Sequence, residues 1–423
     1  MARILIYTSP ARGHLYPVIG AGVELTARGH EVHVRTLAPE VDRVRALGLR
    51  TEPIAAEIET REMDDWRGGN PMESLELGMK TFGERGLLEI DDVDAALKET
   101  QADALLVDTN SWGAQTVAEA SGRPWATFQP YFTPLPAPGI PPFGPGLRRS
   151  TSGAGRVRDA LMRRLIFSKM SRVAMPAVNT MRGRVGLPPL AGITDLLRRP
   201  PRVFYFTTEA LEYPRTQWPE SFRLVGPARW VPPADPPVWL AAIERPIALV
   251  TCSTERQSDR GIVEAALAGL PQKGLFVVAT SAAYGPEEFA GATAPNCRVE
   301  LYLSHGPIIK RARVVVCHGG MGITQRALSH GVPLVIVPFG RDQLEVARRV
   351  EYAGAGVRLM PSRLNADTLA AAVTKAESMT DGAKRIAAAF AAADADSAVA
   401  DGLEELLRER TERGVVDQFS VVE

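Results

Sequence analysis

Between Gly226 and Pro237 the chain reads G-P-A-R-W-V-P-P-A-D-P-P, and five prolines in twelve positions exclude both a helix interior and a central strand. Such a run forms a stiff linker. With 423 residues the chain is also too long for one typical hydrophobic core. Two domains are therefore expected, 1–225 and 238–395, joined by a linker at 226–237. The charged, amphipathic segment 396–423 is expected to form a terminal helix, from about Asp396 to Arg413.

Both halves alternate short apolar runs with amphipathic stretches. In the first half, Ile4 to Thr8, Glu31 to Arg35, Ala104 to Asp108 and Trp125 to Phe128 read as strands. Pro17 to Arg28, Val41 to Leu47 and Trp112 to Ala120 read as helices. In the second half Ile247 to Thr251, Leu275 to Ala279, Val299 to Leu303, Val314 to Cys317 and Leu334 to Val337 read as strands. Strand-helix-strand order implies parallel sheets covered by helices on both faces, so the expected class is α/β with two doubly wound, Rossmann-like domains. Ligands of such domains bind at the carboxyl ends of the strands, here in a cleft between the two units. Residues 55 to 100 and 130 to 200 show no clear period.

Composition narrows the function. The 49 basic residues equal the 49 acidic ones, so no electrostatic surplus points to nucleic acid. No apolar run approaches the roughly 20 residues that span a bilayer. The N-terminal apolar run is too short for a signal sequence. A cytoplasmic protein without stable membrane insertion is expected, with at most a weak contact through the apolar, proline-rich region 134–147. Cys252, Cys297 and Cys317 have no C-x-x-C spacing and read as buried thiols.

The most informative motif is V-V-V-C-H-G-G-M-G-I-T-Q-R-A-L-S-H-G-V-P-L-V-I-V-P-F-G-R-D-Q, from Val314 to Gln343. A strand ends at His318, glycines 319, 320 and 322 follow, and a helix-like segment carries Thr324. Free N–H groups at a helix start, aided by the helix dipole, suit a diphosphate. Asp342 accepts hydrogen bonds and Gln343 both donates and accepts, a combination suited to sugar hydroxyls.

This run resembles the nucleotide-sugar signature of the family 1 glycosyltransferases of GT-B fold, in particular the bacterial branch acting on natural products. The resemblance implies two Rossmann-like domains facing each other across a cleft, with the last helix packing back on the first domain. It assigns His318, Gly319, Gly320, Gly322 and Thr324 to the diphosphate, and Asp342 and Gln343 to the donor sugar. In A-L-V-T-C-S-T-E, Ser253 and Thr254 could bond phosphate oxygens, although Cys252 stands where the family commonly has glycine. Tyr302 stands where an aromatic stacks on the nucleobase, with Ser304 in place of an expected proline; Tyr302 reads equally well as a core aromatic.

In the first domain S-P-A-R-G-H-L-Y-P places His14 on a turn, with Pro17 positioned to open a helix. An imidazole with an ordinary pKa of about 6.5 is a suitable general base, and it is also a common helix cap. Asp108 ends a strand of the same sheet and could orient that ring, or cap the next helix. The resemblance selects His14 and Asp108 as the catalytic pair. Only Gly13 lies between Thr8 and His14, so the G-x-G-x-x-G of a dinucleotide site is missing.

The implied activity is inverting transfer of a sugar from a dTDP- or UDP-sugar to a hydroxyl of a hydrophobic aglycone: polyketide, macrolide, enediyne or aromatic. Trp66, Phe82, Trp112 and Phe132 are candidate acceptor contacts. No cofactor and no metal are called for, the nucleotide-sugar being a co-substrate, and a monomer or homodimer is expected. Two other readings stay open, a non-catalytic activator of a partner enzyme and a sugar-nucleotide epimerase of the same architecture.

Overall fold

The computed structural model describes residues 1–253, 257–282, 284–290 and 294–420. Seven parallel strands form the first sheet: β1 (Arg3–Tyr7), β2 (Glu31–Thr36), β3 (Arg50–Pro53), β4 (Ala104–Asp108), β5 (Trp125–Gln129), β6 (Val203–Tyr205) and β7 (Phe222–Leu224). Six parallel strands form the second: β8 (Ile247–Thr251), β9 (Phe276–Thr280), β10 (Cys297–Glu300), β11 (Ala312–Cys317), β12 (Leu334–Ile336) and β13 (Gly356–Arg358). Their spatial orders, β3-β2-β1-β4-β5-β6-β7 and β10-β9-β8-β11-β12-β13, follow one plan. The fold is GT-B, two Rossmann-like domains. In each sheet the order reverses beside the first strand, between β1 and β4 and between β8 and β11. A crevice opens at such a switch point, because successive helices leave toward opposite faces.

Alternation explains why these runs form buried strands. Leu5, Tyr7, Leu105 and Val107 pack on one face of the first sheet, while Ile4, Ile6 and Leu106 pack on the other. Both faces are covered, so the strands are apolar throughout.

Helix α1 (Arg12–Ala27) starts five residues before the expected position, because the Ala11 carbonyl already accepts from the N–H groups of His14 and Leu15. Pro17 therefore lies inside the helix and His14 in its first turn. The strand expected to reach Leu303 ends at Glu300, where its pairing with β9 stops, and Tyr302 projects to solvent. The two stretches without clear period contain helix α2 (Pro71–Thr100) and helix α4 (Gly153–Arg184), with α3 (Trp112–Ala120) between them. Residues 225–237 form neither helix nor strand. No helix among the described residues is long and apolar enough to cross a membrane.

Helix α5 (Met321–Ser329) follows β11 and helix α6 (Gln343–Tyr352) follows β12. Helix α7 (Ala395–Ser420) lies against α1: Val399, Ala400 and Leu403 share a core with Leu15, Val18 and Ile19. Arg28 bonds Asp401 at 2.5 Å, and Arg202 bonds Glu405 at 2.9 Å.

The second strap between the domains is ionic. Arg349 on α6 is fully buried, with Nε 2.6 Å from Glu212 Oε1 and Nη1 2.8 Å from Glu345 Oε2. Glu212 also accepts from the Tyr205 hydroxyl and the Tyr213 N–H, while Glu345 accepts from the N–H groups of Gly144 and Gly146. The proline-rich segment 134–147 is thereby pinned to the second domain. Arg349→Met leaves two buried carboxylates without their cation and should cost about 3–5 kcal/mol. Denaturant unfolding of the variant is expected to show a clearly lower midpoint, and an unchanged midpoint would remove the strap from the account.

Candidate functional site

A cavity of about 740 Å3 lies between the two sheets, at the carboxyl ends of their strands. It is walled by loops after β1, β4, β8 and β11, by the 339–343 loop and by the linker, where Trp230 meets the Tyr16 ring edge-on at 5.2 Å.

From the first domain, α1 brings His14 to the wall with its ring against Asp108. Nδ1 is 3.0 Å from Oδ1 and 2.8 Å from Oδ2. Asp108 also accepts from the Ser9 N–H at 3.1 Å, the Ser9 hydroxyl at 2.8 Å and the Asn110 N–H at 2.8 Å. Burial alone would raise this carboxyl, but the charge and hydrogen bond of His14, with the Asn110 and Ser9 donors, hold it below the ordinary carboxylate value. An ionised acceptor at Nδ1 places the proton there and makes Nε2 the basic nitrogen. Nε2 lies 3.4 Å from Asn110 Nδ2, and the Asn110 carbonyl accepts from the Tyr131 hydroxyl at 2.7 Å. Sequence reasoning missed Ser9 and Asn110, which stand two residues past the ends of β1 and β4; the signal available was a polar residue on each strand-end turn.

From the second domain, β11 delivers His318 to the same cavity, and α5 opens at Gly320 without a side-chain cap. Its first-turn N–H groups are the unsatisfied donors that attract an anion. A Cβ on Gly320 would come within 2.6 Å of the His318 ring. Gly319 has φ +100° and no room for a side chain beside Ile336. Gly322 faces open space and lines the cavity.

Asp342 lies on the wall opposite His14. Burial pushes its carboxyl up to about 6, against the lowering from its own backbone N–H and from the charges of Arg341 and then His14. The two domains are thus within electrostatic reach of each other across the cavity. Arg341 binds Asp65 across the cleft through two contacts, Nε to Oδ2 at 2.7 Å and Nη2 to Oδ1 at 3.0 Å. Ser253, Tyr302 and Ser304 also line the cavity.

Four expected contacts fare differently. Thr324 is fully buried beside Cys317 and is not among the side chains that line the cavity. Gln343 reaches the wall, but its carbonyl accepts from the Phe339 and Gly340 N–H groups and its amide donates to Gln257 at 2.6 Å. It braces the loop that carries Asp342, and one N–H remains for a ligand. Phe132 is a core side chain beneath the Arg349 guanidinium rather than an acceptor contact. Thr254 lies outside the described residues. Trp66, Phe82 and Trp112 do line the cavity, the last two edge-to-face at 5.7 Å. Gln257, which joins Gln343 to the Ser253 hydroxyl, carried no sequence signal.

Residues 276–406 match the family described as erythromycin biosynthesis protein CIII-like, C-terminal domain. The chain is 31% identical to 4'-demethylrebeccamycin synthase of Lentzea aerocolonigenes over 383 residues, covering 86% of this chain and 89% of the relative. In fold it is similar to the kitacinnamycin glycotransferase, with a TM-score of 0.73 at 21% identity over 96% of this chain and 98% of that one. It is likewise similar to the glycosyltransferase SsfS6 of Streptomyces sp. SF2575 complexed with thymidine diphosphate, with a TM-score of 0.66 at 22% identity over 96% of this chain and 100% of that one.

Gly319→Ala tests the local geometry without assuming any ligand. A left-handed φ together with a clash at Ile336 should cost about 1–3 kcal/mol, readable as a fall of several degrees in Tm.

Proposed function

The chain belongs to the family 1 natural-product glycosyltransferases, and from that membership we propose that it transfers a sugar, with inversion, from a thymidine- or uridine-diphosphate donor to a hydroxyl of a hydrophobic aglycone. One observation carries the reading: the His14–Asp108 pair and the His318–α5 cradle line a single cavity from opposite domains. The relative in complex with thymidine diphosphate supports a thymidine nucleotide.

In this mechanism the acceptor hydroxyl lies against His14. Its proton passes to Nε2 as its oxygen attacks the anomeric carbon. The bond from that carbon to the diphosphate breaks on the opposite face, so a single displacement inverts the configuration. Asp108 keeps the ring in the required tautomer and stabilises the imidazolium that forms. Negative charge growing on the diphosphate meets His318 and the first-turn N–H groups of α5, donors already oriented before reaction begins. Asp342 accepts from sugar hydroxyls, while Gln343 holds its loop. Ser253 and Ser304 flank the nucleotide, and Tyr302 offers its exposed ring to the base. Phe82, Trp112 and the neighbouring Met79 and Met170 give the aglycone an apolar wall. The scheme uses no metal and no cofactor.

His14→Ala should lower kcat by about 10^2 to 10^4 while calorimetric affinity for dTDP or UDP stays the same. Full transfer activity in that variant would exclude His14 as the base. His318→Ala should weaken nucleoside diphosphate binding about tenfold, the scale of one charge-assisted hydrogen bond. Equal affinity by calorimetry would remove the imidazole from the cradle.

A further inference from the structure

Helix α4 carries eight basic residues and one acid, Asp159, in a chain whose charges balance only overall. Much of that charge is engaged: Arg158 with Asp159, Lys169 with Glu76, Arg182 with Glu119 and Arg184 with Asp91. Arg163 donates to the Ala137 and Ile140 carbonyls. Arg156, Arg164 and Arg172 are exposed and, among the described residues, have no carboxylate partner.

Beside them runs an apolar stripe. Val157, Leu161 and Leu165 are spaced by four, so they stack along one helix face, and they are 60%, 66% and 65% exposed. This is not the core-facing side, which Ile166, Phe167, Met170 and Ala174 already occupy. The helix therefore has a second apolar face, flanked by unneutralised arginines. Scattered exposed leucines need no explanation, but a contiguous stripe bordered by cations does.

We propose that this face of α4 docks reversibly on an anionic lipid surface, the stripe entering the interface and the arginines meeting headgroup phosphates. Apolar side chains next to arginines on one face are the composition of an interfacial helix. A second copy fits less well, because it would bring two strongly cationic helices together. The opposite side of α4 supplies Met170 to the cavity wall, so a docked molecule holds its acceptor side one helix away from the bilayer. A hydrophobic acceptor dissolved in lipid would reach the cavity over a short path. The docking claim itself does not depend on the activity proposed above.

The test is co-sedimentation of the full chain with phosphatidylcholine vesicles, with and without phosphatidylglycerol, scored by bound protein rather than by turnover. At least about tenfold stronger binding to the anionic vesicles is expected. The triple variant Arg156→Gln, Arg164→Gln, Arg172→Gln should lose that preference. The double variant Leu161→Ser, Leu165→Ser should lose the fraction that survives added salt. Equal binding to both vesicles, or anionic binding untouched by either variant, would overturn the proposal. So would a dimer in sedimentation velocity that Leu161→Ser, Leu165→Ser dissociates, since a second copy would then be what covers the stripe.

Discussion

The two domains are held at a fixed spacing by a cation that has left water entirely. Arg349 projects from α6 between Glu212 of the first domain and Glu345 of its own helix, with the rings of Phe132 and Tyr213 about 4.5 Å from its guanidinium carbon. Replacing all three of Arg349, Glu212 and Glu345 by apolar side chains together can be neutral in stability. What the three supply instead is register. A guanidinium and two carboxylates satisfy one another only in one relative placement, and the remaining oxygen contacts to Tyr205, Tyr213, Gly144 and Gly146 tighten that placement further.

That register matters because the cavity is lined from both domains. His14 belongs to a helix after β1, and His318 with the start of α5 follows β11. Each stands at its own sheet's switch point, where topology opens a crevice for a ligand. Facing the two crevices is a property of the inter-domain contacts, among them the Arg349 strap, the return of α7 onto α1, and the linker, whose Ala228 N–H bonds Gln325 at 3.3 Å. The Arg341–Asp65 pair adds a contact at the mouth, and it sits one residue from Asp342. Asp342 and this cross-cleft contact therefore share a loop.

Much of this plan was legible in the residues. Strands reading I-L-I-Y or A-L-L-V-D are apolar on both faces, which only a doubly covered parallel sheet accommodates, and five prolines at 226–237 mark a break that no sheet could absorb. Asp108 was placed by its position at a strand end, and the resemblance of G-H-x-x-P paired it with His14, whose ring it meets in the structure. The helices α2 and α4 were not legible, because each mixes a core stripe with stripes serving other purposes, and a second apolar face on α4 erases the simple period. The start of α1 was misjudged because proline is favoured in a first turn, whereas here the Ala11 carbonyl nucleates the helix before Pro17 is reached.

Gln343 and Thr324 show a different limit. Residue type states what a side chain can donate or accept; it does not state where those bonds are used. The Gln343 carbonyl is saturated by the loop that precedes it and one amide N–H goes to Gln257, so most of its hydrogen-bonding capacity holds the residue beside it. The division has a physical advantage. Asp342 rides on a loop of Phe339, Gly340 and Arg341, and the bonds from Gln343 fix that loop in place. By closing the loop on the Gln257–Ser253 chain, Gln343 links the 339–343 loop to the end of β8, so that two walls of the cavity are held by one hydrogen-bonded frame rather than by two independent loops.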